Sequence, residues 1–344
     1  MDLAALDYLL PPEAIAQTPA EPREAARLLV VDRARGGLGD RVFRELPDVL
    51  RPGDCLVVND SRVIPARVFA EDAGGRPVEL LFVEPLDPKR WRALVRPGRR
   101  CRAGVDLRAG GEAGARLRVA TVEADGVRVI ERLDGTIGEL LETQGLPPLP
   151  PYLARHAKPG PEDSERYQTV YARTAGSIAA PTAGLHFSDA LLTRLRARAI
   201  DVQRVTLHVG PGTFRPIKTT RVEDHAVSPE RAVISADTAR GINAARAQGR
   251  RIVAVGTTAT RTLESAVDDA GAVRPFDGLA DVTIHPGHRF RVVDALVTNF
   301  HLPRTSLLSL VFAFAGRDLV LRAYAHAVDA GYRFYSYGDA TLIV

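Results

Sequence analysis

Apolar residues follow two different patterns along this chain. In the first, short apolar runs such as 55–58 (CLVV) and 252–255 (IVAV) stop abruptly on polar residues, and stretches with helical spacing intervene. This pattern predicts strands over 27–32, from 41, and over 55–58, 202–209, 233–234, 252–255, 292–297 and 332–337. It predicts helices over 188–197 (capped by Ser188), 237–247, 261–267, 307–315 and 319–330. Strand and helix alternate, so the expected fold class is α/β, a mixed sheet covered by helices. The second pattern runs from about residue 67 to 133. There β-branched runs at 77–83, 92–95, 116–122 and 127–132 are separated by Gly/Pro turns with no amphipathic helix among them. Short strands at even spacing predict an inserted small all-β barrel domain. A short helix over 137–143 and a proline-rich return over 146–152 follow. The expected organisation is an α/β catalytic domain from 1–66 and 150–344, interrupted by a barrel domain at 67–149.

Composition narrows the class without naming a chemistry. With 344 residues, 45% hydrophobic and 26% charged, the chain is an ordinary globular protein long enough for two cores. The most apolar run, 307–315, is too short to span a bilayer and contains Ser309. An acidic start (Asp2, Asp7) with no basic-then-apolar leader predicts a cytoplasmic protein with no membrane association. Cys55 and Cys101 form no CxxC or Cys/His cluster and are expected to be buried free thiols, with no metal. A net charge of +4, almost all from arginine, permits a polyanionic partner and does not require one.

Five segments embed polar residues in glycine, proline and aromatics, where packing alone would not select them. They are 58–67 (VNDSRVIPAR), 167–172 (YQTVYA), 180–187 (APTAGLHF), 206–214 (TLHVGPGTF) and 298–306 (TNFHLPRTS), with 335–340 (YSYGDA) near the end. His186, His208 and His301 each flank a strand-like run within such a segment, and histidine is the side chain suited to moving protons near neutral pH. The competing reading of each is a hydrogen-bonded turn histidine. Asp60 and Arg62 suit a carboxylate or ribose, or else an Asx-turn beside a solvated arginine. Gly256-Thr257-Thr258, ahead of a helix, offers backbone N–H groups to an anion, or a threonine cap; Arg304-Thr305-Ser306 has the same two readings. His285 and His288 are a spaced pair with no third metal ligand in sight. The chain has no GxSxG, GxxxxGK[ST], HExxH or strand–GxGxxG–helix motif. The residues alone lead to an α/β enzyme with a polar, histidine-bearing site.

Those same segments, in order and end to end, resemble the S-adenosylmethionine:tRNA ribosyltransferase-isomerase family of queuosine biosynthesis. The resemblance extends to Asp7-Tyr8-Leu9, Ile15-Ala16-Gln17, Pro286-Gly287 and Phe290-Arg291-Val292-Val293-Asp294. It implies an α/β domain with an inserted barrel. It further implies transfer and isomerisation of the ribosyl part of S-adenosylmethionine, as co-substrate, onto 7-aminomethyl-7-deazaguanine at the wobble position of the tRNA anticodon loop. Epoxyqueuosine is the product, adenine and methionine leave, and no metal takes part. That chemistry needs a base beside the sulfonium, protonation of departing adenine and a free amine. His186, His208 and His301, with Asp60 and Asp339 as carboxylates, are the candidate catalytic residues. Arg62, Thr182, Gly184, Thr213 and Asn299 are candidates for holding substrate, and Tyr171, Phe187, Phe300 and Tyr337 for stacking on a base or adenine. The chain is expected to act as a monomer.

Several positions depart from the family pattern. The family's His-x-Met-His-x-Glu is His225-Ala226-Val227-Ser228-Pro229-Glu230 here, and its Tyr-Pro-Gly-Tyr is His285-Pro286-Gly287-His288. Its Lys-Ser-Thr is Arg304-Thr305-Ser306, and two methionines are Ser309 and Thr341. These changes leave two rivals open at this point: a paralogous S-adenosylmethionine-dependent transferase with another acceptor, and a non-catalytic RNA-binding protein on the same scaffold.

Overall fold

A computed structural model describes residues 1–111, 113–210, 212 and 217–344. The chain forms two compact units, one of Met1–Arg62, Gln168–Thr174 and Ala180–Val344, the other of Val63–Tyr167 and Ala175–Ala179.

The larger unit is built on a nine-stranded mixed sheet. Its order is Phe276–Ala280, Glu230–Ile234, Asp201–Leu207, Cys55–Asn59, Ile252–Val255, Ala295–Asn299, Ala340–Ile343, Arg27–Asp32 and Gly37–Val42. Asp201–Leu207, Cys55–Asn59, Ile252–Val255 and Ala295–Asn299 run parallel to one another, while Ala340–Ile343 runs antiparallel to the last of them. Because side chains alternate across a strand, the apolar runs feed two cores. Cys55, Val57, Val205, Ala254 and Leu296 face one core, which helices Ala236–Ala247, Gly256–Ser265, Ser306–Ala315 and Arg317–Asp329 cover. Leu56, Val58, Val253, Val255 and Val297 face the other, which helix Asp189–Ala197, Phe43 and Phe187 cover. Double coverage explains why these strands read as unbroken apolar runs.

The smaller unit contains a closed barrel of six strands: Arg67–Asp72, Pro77–Pro85, Arg90–Arg96, Asp106–Ala109, Ala115–Val122 and Arg128–Arg132. Its inward residues, among them Val68, Leu80, Phe82, Leu117 and Ile130, are fully buried. Helix Ile137–Gln144 adds Ile137, Leu140 and Leu141 to that core. A capping box fixes its start: the Glu139 amide donates to Thr136 Oγ1, and the Thr136 amide donates to the Glu139 carboxylate.

The expected α/β class with an inserted barrel is found, and the differences lie at element ends. Residues 332–337 are not a strand. Tyr335 is left-handed at φ 74°, and a Cβ on Gly338 would lie 2.4 Å from the Arg333 carbonyl, so the chain turns there and the last strand is Ala340–Ile343. The glycines at 36–39 do not all sit in a turn, because the second strand already begins at Gly37. The strand expected over 202–209 stops at Leu207, leaving His208 beyond its end. The helix expected from 261 begins at Gly256. Cys55 and Cys101 are free and buried, and burial pushes the Cys55 thiol up to about 12. Among the described residues, no helix is long and apolar enough to cross a membrane.

Candidate active site

The four parallel strands bring their carboxyl ends to one edge of the sheet, where ligands bind in open α/β folds. Asn59, His208, Gly256 and Asn299 follow from that register. Ala340–Ile343 runs the other way and pairs Ala340 with Asn299, so its amino end meets the same edge.

Two hydrogen-bonded imidazoles flank Asn299. The Thr182 hydroxyl donates to Asn299 Oδ1 at 2.9 Å, and Asn299 Nδ2 donates to His186 Nε2 at 3.2 Å. An acceptor at Nε2 makes His186 the neutral tautomer protonated on Nδ1. Its ring packs against Phe43 at 5.0 Å. Burial, with Arg333 and Arg23 nearby, lowers its pKa to about 3. His301 Nε2 lies 2.8 Å from Thr298 Oγ1, and burial lowers this ring to about 3 as well. Its backbone is clamped, since the Tyr8 hydroxyl donates to the His301 carbonyl at 2.5 Å and the His301 amide donates to the Tyr324 oxygen at 3.1 Å. Both rings are therefore neutral proton acceptors at pH 7. His208 is half-buried, with Nδ1 2.8 Å from Ser61 Oγ. Burial and then Arg231 lower its pKa.

Asn59 joins these parts. Its Oδ1 accepts from the Ser61 and Leu207 amides, and its Nδ2 donates to the Leu207 carbonyl and to Thr258 Oγ1 at 3.2 Å. One fully buried amide thus ties the His208 partner Ser61 to the start of helix Gly256–Ser265. That helix leaves its strand directly at Gly256, whose φ of 88° suits only glycine, and it carries no side-chain cap. The threonine-capping reading of this segment is not what the structure shows, because Thr258 Oγ1 is turned to Asn59. At Arg304-Thr305-Ser306 the capping reading does hold, with Thr305 Oγ1 accepting from the Leu308 amide.

A cavity opens against this helix start. Thr182, Gly256, Thr257, Thr258, Asn299 and His301 line it, with Ser336 on the far wall. Ser336 also borders a smaller cavity with Arg23, His186 and Tyr337.

The sequence-derived candidates separate on this geometry. His301, Thr182 and Asn299 lie on the main cavity, while His186 and Tyr337 border the smaller one. His208 pairs with Ser61 and lines neither of these two cavities. Asp60 forms no Asx-turn; its Oδ1 accepts from Thr206 Oγ1 at 2.7 Å. Arg62 is exposed. Asp339 ties two backbone segments together: its two oxygens accept from the Arg27 and Arg333 amides, each at 2.8 Å. Phe187 and Phe300 are fully enclosed, the one against Phe43 and Tyr171, the other among Tyr324, Tyr332 and Phe334, so neither ring has a face for a base. Tyr171 is buried as well. A Cβ on Gly184 would lie 2.1 Å from its hydroxyl, which makes Gly184 a packing requirement. Thr213 lies outside the described residues.

Sequence reasoning passed over Asn59, Ser61, Thr298 and Ser336. The available signal was polar identity at the last position of an apolar strand or in the bend before one. In the departing segments, Glu230 pairs with Arg261 inside the unit and its Oε1 accepts from the Gly210 amide at 2.8 Å. The Ser228 side chain lies where a Cβ on Gly212 would fall, 2.4 Å from Oγ. His285 and His288 close a turn through the His288 amide and the His285 carbonyl at 2.9 Å, and the His288 ring meets Phe290 edge-on at 4.9 Å. Among the described residues, no group of three His, Cys, Asp or Glu could hold a metal ion.

Comparison with known proteins covers the chain nearly from end to end. Residues 3–343 match the family described as "Queuosine biosynthesis protein". The chain is 51% identical to the S-adenosylmethionine:tRNA ribosyltransferase-isomerase of Symbiobacterium thermophilum over the full length of both. It is 49% identical to that of Moorella thermoacetica, again over the full length of both. The crystal structure of S-adenosylmethionine tRNA ribosyltransferase from Thermotoga maritima is similar, with 36% identity and a TM-score of 0.57 over 99% of this chain and 100% of the other. This chain belongs to the queuosine biosynthesis protein family.

Proposed function

We infer that this chain is an S-adenosylmethionine:tRNA ribosyltransferase-isomerase. It transfers and isomerises the ribosyl moiety of S-adenosylmethionine onto 7-aminomethyl-7-deazaguanine at the tRNA wobble position, releasing adenine and methionine and leaving epoxyqueuosine. The observation that supports this chemistry is the pair of buried, neutral imidazoles, His186 and His301, held by Asn299 and Thr298 at the carboxyl edge of the sheet. The reaction removes a proton beside a sulfonium and delivers one to departing adenine. A neutral imidazole accepts the first and, once charged, is the acid for the second. A buried site that disfavours imidazolium gives that proton back readily. His301 fronts the main cavity and is proposed as the group nearest the sulfonium carbon, with His186 behind Asn299 orienting it. His208, through Ser61 and Asn59, is a positioning residue.

S-Adenosylmethionine is the co-substrate, the anticodon loop of tRNA is the partner, the protein acts as a cytoplasmic monomer, and no step calls for a metal. Catalysis is assigned to the domain of 1–66 and 150–344, with 67–149 as the inserted barrel. Full-length identity of about half to relatives of one named activity leaves neither rival with a supporting observation. Purified protein incubated with S-adenosylmethionine and tRNA carrying the aminomethyl precursor is expected to yield free adenine and epoxyqueuosine together. Adenine without modified tRNA would move the reading to another acceptor. Bound tRNA with no adenine would end the enzymatic reading.

A further inference from the structure

The main cavity carries an arrangement that the acid–base chemistry does not use. Helix Gly256–Ser265 points its amino end at it, with no side-chain cap over the first amides. Those N–H groups and the positive end of the helix dipole favour an anion. Beside those amides, two polar side chains on the wall, Thr257 on the helix and Ser336 remote from it in sequence, are each more than nine-tenths buried and have hydrogen-bonding capacity left over. Ser336 Oγ and Thr257 Oγ1 make no hydrogen bond within the protein. Hydroxyls that face a cavity without a protein partner are available to a ligand's acceptor atoms. The described lining contains no Asp, Glu, Lys or Arg, so no side-chain charge competes with the helix end.

The cavity is about 40 Å³, room for a group of a few heavy atoms and not for a nucleoside. A phosphodiester, which continues into chain on both sides, does not fit a recess of that size. A terminal carboxylate does. We propose that the recess formed by the start of helix Gly256–Ser265, Thr257 and Ser336 is the seat of the methionyl carboxylate of S-adenosylmethionine, a subsite that rests on the activity inferred above and leaves His301 to the sulfonium carbon. The carboxylate accepts from the exposed amides and the spare hydroxyls. The sulfonium is thereby held a methionyl side chain's length away, and after the reaction methionine remains seated there until it dissociates.

The test compares two ligands on the unmodified protein by calorimetry: S-adenosylmethionine and its decarboxylated form, which keeps the adenosine, sulfonium and amine. The decarboxylated ligand is expected to bind at least tenfold more weakly. Ser336→Ala and Thr257→Val are expected to weaken S-adenosylmethionine about three- to tenfold while leaving the decarboxylated ligand unchanged, a split that general damage to the site would not produce. Equal binding of both ligands, with adenine still released, overturns the subsite and leaves the enzymatic reading standing. Failure of both ligands to bind, with no adenine under any condition, overturns the enzymatic reading and the subsite with it.

Discussion

The barrel and the carboxyl edge of the large sheet treat polar residues in opposite ways. On the surface of the barrel unit charges pair with one another: Arg92 with Glu84 and Glu123, each at 2.9 Å, and Arg118 with Asp106 at 2.7 Å, all partly exposed. The cluster of Val68, Leu80, Phe82, Leu117 and Ile130 inside it is apolar, and the buried Arg67 of the same unit is paired with Glu79 at 2.9 Å. At the sheet edge these polar groups are neutral and buried or half-buried, linked as Thr182–Asn299–His186, Thr298–His301 and Ser61–His208. Outward ion pairs in water contribute little and tolerate change, whereas a buried neutral network is costly to disturb and persists where chemistry needs it. The contrast locates function by physical cost.

The sharpest way to break this comparison is at the imidazoles. His301→Ala is expected to lower adenine release about 10²–10⁴-fold, the range of a lost proton-transfer group, and His186→Ala, which loses the group orienting Asn299, by less, each with the circular dichroism spectrum unchanged. An unfolded variant would return that histidine to a structural role. The next effect is on stability against pH. Both rings fall from an ordinary 6.5 to about 3 on folding, so between pH 6.5 and 4.5 the unfolded chain binds more protons than the folded one. Stability is then complete above pH 6.5 and falls as the pH drops, by up to about 1.4 kcal/mol per unit for each ring. Urea midpoints at pH 6.5, 5.5 and 4.5 check this, and a flat profile contradicts it.

A smaller effect sharpens the packing side of the contrast. Gly184→Ala drives a Cβ to 2.1 Å from the Tyr171 hydroxyl and is expected to cost about 1–3 kcal/mol, partly recovered by adding Tyr171→Phe. A Tm unmoved by Gly184→Ala would show that the edge is not closely packed. Smallest of all is Arg118→Ala in the barrel. It is expected to leave adenine release unchanged and Tm within about 4 °C, as for an exposed pair.

Much of this was legible along the chain, for reasons that differ by residue. Runs such as 252–255 are apolar on both faces because helices cover both faces, and period and burial there agree. The barrel strands alternate because only one face is buried, although Arg67–Asp72 and Asp106–Ala109 are too short and charged to stand out. His301 and Asn299 stood out because a polar pair at the end of an apolar run has no packing rationale. What remained hidden depends on contacts distant in sequence. Nothing local shows that Asp339 binds the Arg27 amide 312 positions away, or that Asn59 binds Thr258. Phe187 and Phe300 read as stacking candidates because sequence shows an aromatic ring and not what encloses it.

The account's central claim is that S-adenosylmethionine is handled at the sheet edge. Histidine-ring NMR during titration with S-adenosylmethionine tests it most directly, with the indole of Trp91, the chain's single tryptophan and a barrel residue, as the internal reference. The His301 and His186 ring signals are expected to move with ligand while the Trp91 signal stays in place. A moving Trp91 signal beside stationary histidines would contradict the account.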